Sequence, residues 1–102
     1  MLAETDFLLR PAREASREAL EEDELLQRAV IYSLMVLGEA ANKISVGFRE
    51  GYGDVAWRKI ISTRHRIVHE YFGIDYDIVW QIVTVQISGL HLQLSTILKE
   101  RA

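Results

Sequence analysis

The chain has 102 residues, of which 49% are apolar, 26% charged and 9% aromatic, the balance of one globular domain rather than of a disordered or fibrous chain. The absence of cysteine excludes disulfide frameworks, thiolate metal sites and thiol catalysis. The net charge of −3 argues against a protein that coats nucleic acid by bulk electrostatics.

That average conceals an asymmetry. Residues 1–24 hold eight acids and three bases, so the remainder of the chain is net basic, and Arg58, Lys59, Arg64 and Arg66 fall within one short stretch of it. A local anion site is therefore compatible with the acidic total. No apolar run reaches the ~20 residues of a membrane span. The N-terminus also lacks the basic start and cleavage site of a signal peptide, so the cytoplasm is the expected location.

Few glycines and one proline interrupt the chain, and the stretches between them show helical period, which predicts an all-α antiparallel helical bundle. Residues 1–22 read as an acidic, weakly helical segment with a short helix beginning near Pro11, where proline suits a first turn. Such an end is expected to be solvated and frayed. Residues 23–102 read as the bundle itself, within a single domain.

Asp23 is the expected N-cap of a long helix running to about Val46, with Leu26, Val30, Ser33, Leu37 and Ala41 on one face. Gly47, Gly51 and Gly53 mark a loop, and Asp54 is the expected cap of a third helix reaching about Tyr71. Asp75 caps the last helix, where Trp80, Val83, Ile87, Leu90, Leu94 and Ile97 form a seam at steps of three and four. Ile78, Ile82, Val85 and Leu92 add a second apolar row. A helix apolar on two sides in so small a bundle predicts a homodimer; the alternative is that the N-terminal segment covers the surplus.

Dinucleotide, P-loop, serine-hydrolase, zincin and EF-hand motifs are all missing. The segment that carries chemistry runs from Trp57 to Gly73. On an ideal helix Arg64 and His69 are about 140° apart around the axis and about 7.5 Å apart along it. Their side chains therefore do not coincide within one chain, whereas a twofold pair of such helices brings two sets to one cleft. Tyr71, seven residues from Arg64, returns to the arginine's face. Guanidinium forks and imidazoles suit a phosphodiester, the first as anion binders and the second as proton carriers near neutral pH.

Bland readings stand beside these. Arg58, Lys59, Arg64 and Arg66 also fit a solvated face, His69 a hydrogen-bonded core-edge position, and Trp57 and Trp80 core or interface anchors. His65 and His69, at i and i+4, share a face, but with only His91 as a distant third they make a poor metal site, and none is expected.

The segment Arg64-His65-Arg66-Ile67-Val68-His69-Glu70-Tyr71 matches the R-x4-H-x-Y motif of the HepT-like toxins of the HEPN superfamily. Leu37-Gly38-Glu39-Ala40-Ala41, Trp57-Arg58-Lys59-Ile60-Ile61 and Tyr71-Phe72-Gly73-Ile74-Asp75 resemble that family in the same order, so that the likeness covers roughly residues 23–98. The resemblance implies a homodimeric helical bundle whose motif lines a cleft between protomers. It implies a metal-independent endoribonuclease needing no cofactor, with Arg64 and His69 as the catalytic pair. It also implies an MntA-like nucleotidyltransferase antitoxin that transfers AMP to Tyr71 and silences the toxin. His65 departs from the small polar residue common after the motif arginine, and with Arg66, Arg58 and Lys59 it is expected to line the cleft or bind RNA. Two other readings remain at this stage: a non-catalytic HEPN module that binds nucleotide or a nucleotidyltransferase, and an inert helical assembly domain.

Overall fold

The computed structural model describes residues 1–101; Ala102, with which the expected bundle region 23–102 ends, lies outside the described residues. The chain is all helical: α1 (Leu2–Glu14), α2 (Arg17–Glu22), α3 (Glu24–Lys43), α4 (Val46–Gly51), α5 (Trp57–His69), a 3₁₀ turn (Tyr71–Gly73), α6 (Tyr76–Gln81), a π-helical stretch (Ile82–Gln86) and α7 (Ile87–Arg101). Gln81, Ile82 and Ile87 keep right-handed helical angles, so α6, the π stretch and α7 form one rod.

The central helix α3 begins as expected, because the Asp23 carboxylate accepts the amide hydrogens of Leu25 and Leu26 at 3.0 and 3.2 Å and satisfies two of the donors a helix start leaves open. Val30, Ser33, Leu37 and Ala41 are buried, and α3 packs chiefly against α5, α1 and α2. The last helix is also capped as expected, Asp75 accepting from the Asp77 amide at 2.9 Å. Its seam of Val83, Ile87, Leu90, Leu94 and Ile97 is buried.

The N-terminal segment differs from expectation. Its helix starts at Leu2, not near Pro11, and carries the proline in its last turns, although proline inside a helix costs about 3 kcal/mol. Tertiary contacts outweigh that cost. Leu8 is 0% exposed and Leu9 and Pro11 are buried, because α1 lies across α7 and α3. Three polar links tie the N-terminal segment down, two from α1 and one from α2. The buried Ser33 hydroxyl donates to the Glu4 carboxylate at 2.6 Å, His91 Nε2 meets Asp6 Oδ1 at 2.7 Å, and Arg17 pairs with Asp77 at 2.8 Å.

Two further boundaries also move. The glycine-rich loop contains α4, capped by the Ser45 hydroxyl, which accepts from the Phe48 amide at 3.2 Å. Asp54 does not cap α5; the N-cap is Ala56, and the turn is held instead by Trp57 Nε1 donating to the Tyr52 carbonyl at 3.1 Å.

With α1 and α2 placed on one side of the rod, the other side stays open. The protomer is a slab of 40 × 28 × 17 Å. Val85 and Leu92 on the open side are 64% and 69% exposed. An apolar groove of ≈ 420 Å³ runs there between α5 and the rod, floored by Leu34, Leu37, Ile60 and Leu90.

Candidate active site

Every candidate side chain stands on α5 or the turn after it, and α5 packs along α3 with a close approach at Gly38. A Cβ added at Gly38 would meet the Arg64 Cβ at 2.5 Å and the Ile60 carbonyl oxygen at 3.0 Å. The bare backbone of α3 thus lets α5 come close, with the root of Arg64 directed at α3. Arg64 is half-buried, and its Nε has no hydrogen-bond partner among the described residues, an arrangement that costs about 1–3 kcal/mol when the donor is left unmet.

His65 and His69 are exposed on another face, and their rings are brought together at 4.2 Å between centroids, tilted by 57°. This is the geometry that i and i+4 positions give on a helix. Among the described residues no hydrogen bond joins either imidazole to Arg64. One protomer therefore presents arginine and histidine to different sides, in keeping with the helical arithmetic.

Tyr71 lies beyond the helix from which its return to the arginine's face was reckoned. The α-helix stops at His69, and Tyr71 begins the 3₁₀ turn, so helical phase no longer applies to it. Its ring is 50% exposed and packs edge-on against Phe72, with centroids 5.5 Å apart and planes at 88°. The Glu70 amide donates to the Arg66 carbonyl and the Gly73 amide to the Glu70 carbonyl, both at 2.8 Å, which ties this turn to the end of α5. Burial, with Tyr71 and Glu24 nearby, raises the pKa of the neighbouring Tyr76 phenol above its ordinary 10.0.

Arg58, Lys59 and Arg66 converge on a second groove of ≈ 270 Å³ between α5 and the rod, which they share with Ser62, Gln81 and Gln86 and in which no acidic side chain takes part. Ser62 was not singled out by sequence reasoning; its spacing of three and four from Lys59, Arg58 and Arg66 was the available signal. His91 is taken up by Asp6 and is not part of this cluster. Among the described residues, no group of three or more His, Asp or Glu side chains is placed to hold a metal ion, and no helix is long and apolar enough to cross a membrane.

The arrangement can bind an anionic backbone through three cations and move protons through two imidazoles. Comparison with known proteins points the same way. The profile of the family described as "Ribonuclease HepT-like" matches residues 1–97. The chain is 35% identical over 98% of its length to the protein named "Putative RNase TTE0752" of Caldanaerobacter subterraneus subsp. tengcongensis, covering 89% of that protein. It is 34% identical over 67% of its length to the "Probable ribonuclease HepT" of Thermococcus cleftensis, covering 62% of it. No solved structure gives a significant match.

Proposed function

The chain belongs to the HepT-like ribonuclease family, and from that premise we propose that it is a metal-independent endoribonuclease toxin, working as a homodimer in the cytoplasm and silenced by AMP transfer to Tyr71. The observation that carries this reading is the exposed imidazole pair on α5, 4.2 Å apart, beside a groove lined by Arg58, Lys59 and Arg66, in a chain whose R-x4-H-x-Y motif is intact.

In the proposed reaction the ribose 2′-oxygen attacks the adjacent phosphorus. The O2′–P bond forms, the P–O5′ bond breaks, and a proton passes from O2′ to O5′ with His69 carrying it for one of the two transfers. The Arg64 guanidinium offsets charge gathering on the phosphoryl oxygens. The products are a 2′,3′-cyclic phosphate and a 5′-hydroxyl. Arg58, Lys59 and Arg66 hold flanking phosphates, a task cations perform whatever the base sequence, and His65 lines the cleft beside His69.

Two protomers are required because Arg64 and His69 sit on different faces of one α5. The uncovered side of the slab, with Val85 and Leu92 exposed, supplies the apolar area for self-association. Silencing follows from charge. Tyr71 is half exposed and open to an MntA-like nucleotidyltransferase. Its phenolic oxygen bonds to the α-phosphorus of ATP, pyrophosphate leaves, and the added anion then repels RNA phosphate from the groove.

The test is RNA cleavage in EDTA by the purified, unmodified chain beside Arg64→Ala and His69→Ala. Cleavage to cyclic phosphate ends by the wild type and its loss in both variants is the expected result. A folded, unmodified wild type that leaves RNA intact would overturn the reading and make the chain a non-catalytic helical module.

A further inference from the structure

Phe72 is 102% exposed. A phenylalanine contributes about 1.5–3 kcal/mol when fully buried, and here that contribution to the fold is forgone at the position next to the motif tyrosine. The backbone that carries it is nevertheless held. Phe72 belongs to the 3₁₀ turn anchored by the Glu70 and Gly73 amides, and its ring stands at right angles to that of Tyr71, 5.5 Å between centroids, with its surface open to solvent. Behind it along α5 lie His69, Arg66 and His65, all exposed, and beyond them Arg58 and Lys59, about 16 Å along the helix axis from His69.

An exposed aromatic face at the end of a cationic track is what single-stranded nucleic acid binding requires: cations follow the phosphates and the ring stacks on a base. A duplex keeps its base faces stacked on one another and offers such a ring no partner. Resting on the RNA-cleavage reading above, we propose that Phe72 is a base-stacking residue of this site, with one unpaired nucleobase of the RNA laid on the Phe72 ring and the adjoining phosphates led past His69 toward the Arg58, Lys59 and Arg66 groove. A second copy of the chain is the competing occupant of this ring, and the measurement below separates the two.

Binding is read with a single-stranded 2′-O-methyl RNA, which lacks the attacking hydroxyl and so is not consumed, against the same strand made abasic and the same strand annealed to its complement. Cleavage of ordinary RNA and sedimentation velocity are run on the same samples. Phe72→Ala should weaken binding of the single strand about 5- to 100-fold and should change binding of the abasic strand and of the duplex little. Phe72→Trp should restore single-strand binding, and the oligomeric state should be that of the wild type throughout.

Equal binding of the single strand by wild type and Phe72→Ala, with cleavage by the wild type intact, would overturn the stacking role and leave the ribonuclease reading standing. Dissociation of the oligomer by Phe72→Ala would assign the ring to the contact between copies and overturn it likewise. A wild type that neither binds nor cleaves any RNA removes both readings together.

Discussion

The backbone of Gly38 and the Cβ of Arg64 occupy a contact with no room for another carbon, since a Cβ on residue 38 would lie 2.5 Å from that of Arg64. The atom met is the root of the arginine side chain, and the next is a backbone oxygen at 3.0 Å, so neither yields by rotating a distant group. Gly38→Ala must therefore push α5 away from α3. The gain in helix propensity, about 1 kcal/mol, opposes an overpacking cost of about 1–3 kcal/mol. A net loss of stability is expected in urea melts, together with a larger fall in RNA cleavage than the unfolded fraction explains, because Arg64 is displaced.

Leu8→Ala tests the N-terminal helix. Leu8 has no exposed surface, so truncation should cost about 2–5 kcal/mol in denaturant unfolding. A loss under about 0.5 kcal/mol would mean that α1 is not docked in solution.

Leu92→Glu tests the open side of the slab. The side chain is 69% exposed in the protomer, so folding should be nearly unaffected, while sedimentation should show the wild type as the proposed dimer and the variant as monomers, with RNA cleavage lost in the variant. A wild type that sediments as a monomer at high concentration would contradict the two-protomer site.

Tyr71→Phe removes the oxygen proposed to accept AMP and keeps the ring against Phe72. Cleavage should persist, and co-expression with a nucleotidyltransferase partner should fail to relieve growth arrest, whereas wild-type chain from the same co-expression should gain the mass of AMP.

Tyr76 gives a pH dependence with a definite sign. Its phenol is held above the ordinary 10.0, first by burial and then by Tyr71 and Glu24, so the folded state keeps a proton that the unfolded state releases. The associated stability is complete below pH 10 and is lost as pH rises through the raised value. Thermal melting of Tyr76→Phe should accordingly fall less between pH 9 and pH 11 than that of the wild type.

Periodicity and caps made much of this fold legible before any coordinates. Asp23 and Asp75 cap where their side chains predicted, the seam from Val83 to Ile97 is the buried face of the rod, and His65 and His69 meet as their spacing required. Local signals failed where tertiary contact outweighed them. Pro11 suggested a helix start, yet Leu8 and Leu9 carry the helix back to Leu2. The glycines near residue 50 suggested only loop, yet the Ser45 hydroxyl caps a turn of helix there. Helical arithmetic gave the angle between Arg64 and His69 but not which of them faces α3, a matter settled by the bare backbone at Gly38. The same arithmetic does not reach Tyr71, because the helix it assumed ends two residues earlier.

The π stretch from Ile82 to Gln86 has a bearing on how this chain can change in length. Val79, Val83 and Ile87 all point inward at successive steps of four, a spacing that an ordinary α-helix would let drift by about 40° each time; the wider turn absorbs that drift. Deleting one residue there would restore regular winding, four residues of ordinary helix turning through about as much angle as the five of the wider turn, and would leave Leu90, Leu94 and Ile97 facing inward. The last third of the molecule thus keeps its phase with the rest across one surplus residue, so a single-residue deletion in this turn should be better tolerated than one elsewhere in the rod, where no wide turn absorbs it.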